Sequence, residues 1–284
     1  MAKIEMINQV EQAVEHSGVI KSPLRPYLGY SSIGHHCPRY LWYTFRWVYT
    51  KEITQRLQRL FNRGHQEEPI VIADLERAGM KCSNVVRHGM TEEEANTAQV
   101  TCMGSYGHIM GHPDGDVTNV PGAEQTEHNL EIKTANDKKF KEFCKFGVQR
   151  SNPQYYAQIN AYMHHKGQTR TLFIITNKNT DDRYFERIPY DKDNYLENEE
   201  RGIDVITSSV PLPKISTKPE WHECRFCDAK DICHFNAPYE KNCRTCQHIR
   251  LEEDGQWSCF IYKKDIPVDF QRKGCPDNYL PLER

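Results

Sequence analysis

The chain has 284 residues, 38% of them hydrophobic and 27% charged, which suits one large globular domain or one domain with appendages and excludes a membrane-embedded or low-complexity protein. Its 37 basic residues against 39 acidic ones leave net charge near zero, so bulk composition does not mark a nucleic-acid binder, and charge distribution matters more than the sum. The opening "MAKIEMINQVEQAVEH" has no long apolar run, as expected of a cytoplasmic chain without signal peptide or membrane anchor.

In chain order, Tyr40 to Leu60 is rich in aromatic and long side chains and free of Gly and Pro, predicting one or two helices that Gly64 brings to an end. A further helix is predicted over "EEPIVIADLERAG", with Glu67, Glu68 and Pro69 at its start and Gly79 at its end. "KCSNVVRHGM" predicts a strand, "TCMGSYGHIMGHPDGDV" a strand, turn and strand, and "NLEIKTA" another strand. "NPQYYAQINAYMHHKG" is an amphipathic helix with Tyr155, Ile159, Tyr162 and Met163 on one side. Two strands, "TLFIITNKN" and "RYFERIPYD", and a charged helix from about Asp191 to Ile206 complete a mixed sheet flanked by helices. Three prolines between Pro211 and Pro219 mark a linker into a cysteine-rich tail. The basic runs Arg56–His65 and Lys138–Phe146 read first as solvated helix faces.

Residues two apart on a strand share a face, so Glu131 and Lys133 point together, opposite Leu130 and Ile132. If Asp114 ends the neighbouring strand, two carboxylates and an ammonium converge. Carboxylates are the oxygen ligands that Mg2+ favours, and an adjacent lysine suits water activation or phosphate charge. Taken alone, a cross-strand salt bridge is the plainer account. A calcium loop starting at Asp114 fails on spacing. Glu68 at a helix start and Gln158 four residues before Tyr162 are further groups that can reach such a centre. The aromatic segment Arg39–Tyr49 offers rings for stacking unpaired bases, although core packing is the plainer use.

Seven of the 11 cysteines lie between Cys224 and Cys275, a concentration that in a reducing compartment points to metal binding. Cys82, Cys102 and Cys144 are isolated and expected to be small core residues. "CRFCDAKDIC" supplies Cys224, Cys227 and Cys233, with His234 or the distant Cys37 as fourth ligand. Cys243, Cys246, Cys259 and Cys275 form a second candidate tetrad, in which His248 can replace one cysteine. Spacing does not separate zinc from an iron–sulfur cluster.

These pieces together resemble the RecB-type nucleases of the PD-(D/E)XK superfamily, in the iron–sulfur branch that includes the CRISPR-adaptation nuclease, the AddB nuclease domain and phage exonucleases. The resemblance runs from about Ser31 to His234 and rests on Gly64 with Glu68, Gly111 with Asp114, Glu131-x-Lys133, Gln158-x3-Tyr162, and Cys37 with Cys224, Cys227 and Cys233. It implies an α/β restriction-endonuclease-like core with a mixed central sheet, an N-terminal helical segment (1–65), a nuclease core (66–210), a cluster segment (211–240) and a zinc-binding tail (241–284). It also implies Mg2+ or Mn2+ on Asp114, Glu131 and Glu68, with Lys133 positioning the attacking water and Gln158 and Tyr162 orienting DNA or the lysine. Cys37, Cys224, Cys227 and Cys233 would hold a structural 4Fe-4S cluster. The expected activity is metal-dependent DNA exonuclease action at single- or double-stranded ends, in recombination, repair or phage DNA processing, in the host cytoplasm if phage-encoded. The alternatives are a non-catalytic metal-stapled DNA-binding scaffold and a CRISPR-adaptation end-trimming nuclease. The tail departs from the family pattern. Cys243, Cys246, Cys259 and Cys275 are expected to bind Zn2+, as a stability staple or as a contact for DNA or a protein partner, and a homo-oligomer is left open.

Overall fold

The computed structural model describes residues 2–15, 18 and 20–283. The chain starts with α1 (Ala2–Glu15), β1 (Ile20–Lys21), β2 (Leu28–Gly29), α2 (Tyr30–Ile33) and α3 (Pro38–Phe45). Pro38 takes the first position of α3, where no backbone donor is needed. Leu41, Trp42, Tyr43, Phe45, Trp47 and Val48 are all buried, so the aromatic run packs a core. A short strand, β3 (Glu52–Ile53), pairs with β1 and interrupts the stretch that sequence assigned to helix.

α4 (Gln55–Arg77) corrects the expected break at Gly64. The helix starts at Thr54, whose hydroxyl accepts the Leu57 N–H, and runs unbroken through both Gly64 and Pro69. A mid-helix glycine costs only about 1 kcal/mol. Burying Val71, Ile72 and Leu75 against the sheet contributes about 1.5–3 kcal/mol per side chain, which outweighs it. The Glu67–Pro69 stretch therefore lies mid-helix, and the position between residues 65 and 66 falls inside a continuous element.

β4 (Lys81–Ser83) is shorter than the ten-residue stretch suggested, because Asn84 turns the backbone to a positive φ of 56°. After α5 (Glu92–Ala98), "TCMGSYGHIMGHPDGDV" forms three strands where two were expected: β5 (Cys102–Met103), β6 (Ile109–Gly111) and β7 (Gly115–Thr118). Pro113 lacks a backbone donor and separates the last two. β8 (His128–Ala135), α6 (Asp137–Ser151), α7 (Pro153–Lys166), β9 (Arg170–Asn177), β10 (Arg183–Pro189) and α8 (Lys192–Thr207) follow the predicted order. The segment 208–229 has neither helix nor strand. The tail adds α9 (Lys230–Phe235), β11 (Ile249–Leu251), β12 (Trp257–Cys259), β13 (Lys264–Asp265) and α10 (Val268–Lys273).

The main sheet runs β10-β9-β8-β7-β4; only β8 and β9 are parallel, so it is mixed. Parallel neighbours need a long crossover, and α6 with α7 provides it. Leu130 and Ile132 of β8 pack with Val71, Ile72 and Leu75 of α4 on one face. On the other face Phe173 and Ile175 of β9 pack with Phe143 of α6 and Ile159 of α7. Because Glu131 pairs with Phe173 and Lys133 with Ile175 in register, both charged groups lie under α7. A separate core cluster joins Tyr30, Trp42 and Phe45 to Tyr162, Trp257 and Leu282, so the N-terminal segment and tail share one interior. Of the three isolated cysteines, Cys102 is buried and Cys82 half-buried, but Cys144 is exposed, against expectation, on a turn of α6 that faces solvent. No helix among the described residues is long and apolar enough to cross a membrane.

Candidate active site and cysteine cavities

Asp114 sits in the two-residue step from Pro113 into β7, opposite the middle of β8. Its Oδ2 accepts the Ile132 N–H at 2.7 Å and lies 3.8 Å from Lys133 Nζ. Lys133 also pairs with Glu131 Oε1. Glu131 is fully buried, and apart from that ion pair neither carboxylate oxygen has a partner. An anion buried at this depth with open lone pairs is costly unless a cation completes it. Burial, then the Glu131 and Glu68 charges, pushes the Asp114 carboxyl well above its usual range, and burial likewise raises Glu131. Burial works against charge on Lys133, yet Glu131 and Asp114 overcome it and hold the ammonium on.

Glu68 projects from α4 close enough for its charge to act on both Asp114 and Glu131. Its neighbour Glu67 is engaged by Thr176 and Arg183, so of the adjacent pair Glu68 is the one turned to the centre. On α7, Gln158 Nε2 donates to the Tyr162 hydroxyl at 3.2 Å, and both are buried. Burial, then the nearby Glu131 charge, drives the Tyr162 phenol far up. Gly111 is explained by this ring: a Cβ there would stand 2.7 Å from the Tyr162 hydroxyl oxygen. The structure thus brings Asp114, Glu131 and Lys133 into direct contact, with the Glu68 charge acting on both acids and Gln158 bonded to Tyr162 on α7. Asp116 turns elsewhere, bonded to Asn84 (2.6 Å), Gln168 (2.7 Å) and Lys166.

Two neighbours escaped the sequence reading. Tyr155, assigned to the apolar side of α7, presents its ring 5.6 Å from Lys133 Nζ. Its place three residues before Gln158, one helical turn away, was the available signal. His65 Nδ1 stands 3.8 Å from Glu68 Oε1, which holds the imidazole above its usual range. Only the i, i+3 spacing hinted at it, and the expected break at Gly64 hid that spacing.

The cysteines gather in two groups, all of them free thiols. Cys37 caps the start of α3, Cys224 and Cys227 lie in the turns before α9, and Cys233 is on α9; the four line one cavity of about 160 Å³. His234 borders it too. Burial raises the Cys224, Cys227 and Cys233 thiols, and the nearby Cys37 adds to each. Cys243, Cys246, Cys259 and Cys275 border a second cavity, of about 590 Å³. As the side chains stand, no group of three or more His, Cys, Asp or Glu among the described residues is positioned to hold a metal ion.

No family model matches the chain, and no curated protein matches it. Among solved structures it is similar to an alkaline exonuclease, LHK-Exo, from Laribacter hongkongensis, at 17% identity and a TM-score of 0.42 over 64% of this chain and 86% of that one. The same exonuclease in complex with dAMP gives a TM-score of 0.43 at 17% identity over the same shares. SSO0001 is similar at 14% identity and a TM-score of 0.41, over 81% of this chain and 96% of that one.

Proposed function

We propose that the chain is a divalent-metal-dependent DNA nuclease of the RecB type, acting as an exonuclease at DNA ends. One observation carries this reading: Glu131 is an acid buried to 0% exposure whose two oxygens meet only the Lys133 ammonium, with Asp114 and Glu68 beside it. A structural salt bridge would not need a second acid beside Lys133 and a third whose charge reaches both. Asp114, Glu131 and Glu68 would be the oxygen set for Mg2+ or Mn2+ once their side chains close on the ion, which would supply Lewis-acid stabilisation of the charge that develops on phosphate.

This chain's own residues do the rest. The Ile132 N–H fixes one Asp114 oxygen and leaves the other free. Lys133, held between the two carboxylates, is placed to donate to the attacking water or to a non-bridging phosphate oxygen, where a fixed charge costs no reorganisation. Gln158 and Tyr162 brace the centre from α7, and the Tyr155 ring bounds it over Lys133. Cys37, Cys224, Cys227 and Cys233 would carry a 4Fe-4S cluster that ties α3 to α9 across the chain. Four thiols around one cavity suit that role.

The test is digestion of end-labelled DNA with Mg2+ or Mn2+ after anaerobic purification, comparing the natural chain with Lys133→Ala. The natural chain should degrade DNA and the variant should not. Equal degradation by both overturns the site, and no degradation with either metal favours a DNA-binding scaffold.

A further inference from the structure

The second cysteine group lies outside the nuclease reading. Residues 241–283 form a small unit: a tight turn at Cys243–Thr245, the three-stranded β11-β12-β13 sheet and α10. Its buried apolar side chains are few, chiefly Ile249, Trp257, Ile266 and Leu282, and units this thin commonly need a staple. No disulfide provides one.

Four thiols converge from three places in this unit: Cys243 and Cys246 on the tight turn, Cys259 at the end of β12, and Cys275 after α10. All four border the same cavity. Cys275 Sγ accepts the Asn278 N–H at 3.3 Å, an arrangement that favours a thiolate over a thiol. Asn242 accepts the Arg244 and Thr245 N–H groups, at 2.8 and 3.2 Å, and shapes the turn that carries the first two sulfurs. The sulfurs are not yet at ligand distance. Moving a cysteine between staggered χ1 wells carries its sulfur about 3 Å, and the cavity provides the room.

The same turn holds the tail to the rest of the molecule. Arg244, between the first two cysteines, is fully buried; its guanidinium donates to the Phe45 and Pro26 carbonyls at 3.0 and 2.8 Å and lies 3.8 Å from the Trp47 ring centre. Asn242 donates to the Trp47 carbonyl at 2.8 Å. No carboxylate pairs with Arg244 among the described residues. A buried cation without a counter-ion is expensive, so something must hold this plug in place.

We propose that Cys243, Cys246, Cys259 and Cys275 are the four ligands of one structural zinc ion, and that this zinc fixes the Cys243–Cys246 turn so that Arg244 locks the tail onto the segment from Pro26 to Trp47. The four thiolates are a closed structural set, leaving no open position for chemistry. His248 borders the cavity as well, and the four-cysteine set is preferred because it closes the site with thiolates alone.

The experiment is zinc and iron analysis of the anaerobically purified full chain, alongside Cys37→Ser, Cys259→Ser and Cys275→Ser. The natural chain and Cys37→Ser should each carry one zinc per chain; Cys259→Ser and Cys275→Ser should lose it. Zinc retained in both of the latter overturns the ligand set, and iron in place of zinc in Cys37→Ser overturns the metal. If either tail variant fails to fold, cobalt(II) growth of the natural chain decides, since tetrahedral thiolate cobalt gives intense visible bands and their absence overturns the site. Limited proteolysis tests the lock: removing zinc with a strong chelator should expose the tail to cleavage well before the sheet core. Identical digestion patterns with and without zinc overturn it. None of these readouts depends on nuclease activity.

Discussion

In the acid centre, regular secondary structure places every group. Strand alternation turns Glu131 and Lys133 to one face, a ladder neighbour brings Asp114 to the Ile132 amide, and helices α4 and α7 deliver Glu68, Gln158 and Tyr162. In the two cysteine cavities the thiols, apart from Cys233 on the short α9, sit on turns, a helix cap and a strand end, and Cys37 meets partners nearly two hundred positions later in the chain. Backbone hydrogen bonds and packed side chains hold the first region before any cation arrives. The second lacks such a scaffold, and the proposed metals would supply its cross-link. Substitutions should therefore separate them: acid-centre changes should alter chemistry and spare the fold, and cysteine changes should do the reverse.

The largest expected effect is on cleavage by Glu131→Gln. Removing the buried charge takes away a proposed metal ligand and the main partner of Lys133, and should cost at least about 10²–10³-fold in turnover, the scale of one lost electrostatic group. Stability should hold or rise, because a buried anion with unpaired oxygens is itself unfavourable. Turnover measured beside a urea midpoint checks this, and a collapsed midpoint would break the contrast. Cys37→Ser is the converse. It should remove the brown colour that the proposed 4Fe-4S cluster would give, and cost about 2–5 kcal/mol, the scale of a lost cross-link across a long loop, with cleavage per folded molecule retained. Retention of the full colour sinks the Cys37 assignment.

A smaller effect probes the joint between the regions. His108 is fully buried between the Phe45 and Trp257 rings; its Nε2–H donates to the Glu252 carbonyl at 2.9 Å, and its Nδ1 has no partner. Burial lowers its pKa from 6.5 to about 4. The unfolded chain then takes up a proton below pH 6.5 that the folded chain refuses until about pH 4, so stability falls as pH drops through this window. The loss at pH 5 should be on the order of 1–2 kcal/mol relative to pH 7. Urea midpoints at the two pH values measure it, and His108→Gln, which keeps a donor and does not titrate, should flatten the difference.

Much of the sheet region was legible because its signals are periodic. β8, β9, α7 and α8 fall where alternation and helical spacing put them, and Glu131, Lys133, Gln158 and Tyr162 follow from those periods. What stayed hidden depends on tertiary context. The continuity of α4 is decided by its packing on the sheet, which local propensity at Gly64 does not report. Tyr155 looked like a core residue because Lys133, the charge it faces, lies on another element. The exposure of Cys144 and the burial of Arg244 between two cysteines are likewise invisible in composition.

Gly64 gives the sharpest small test, since sequence and structure assign it different work. As a helix stop it would set where Glu68 begins a new element, and alanine there would extend the preceding helix and misplace Glu68. In the structure it already lies inside α4, its φ is not positive, and a Cβ would meet nothing within 4 Å. Gly64→Ala should therefore stabilise the chain by up to about 1 kcal/mol, the propensity difference in a helix interior, and leave cleavage unchanged. A gain in stability with a loss of cleavage would assign the glycine a different duty: a bare patch of helix, four residues before Glu68, where a DNA backbone comes too close for a methyl group.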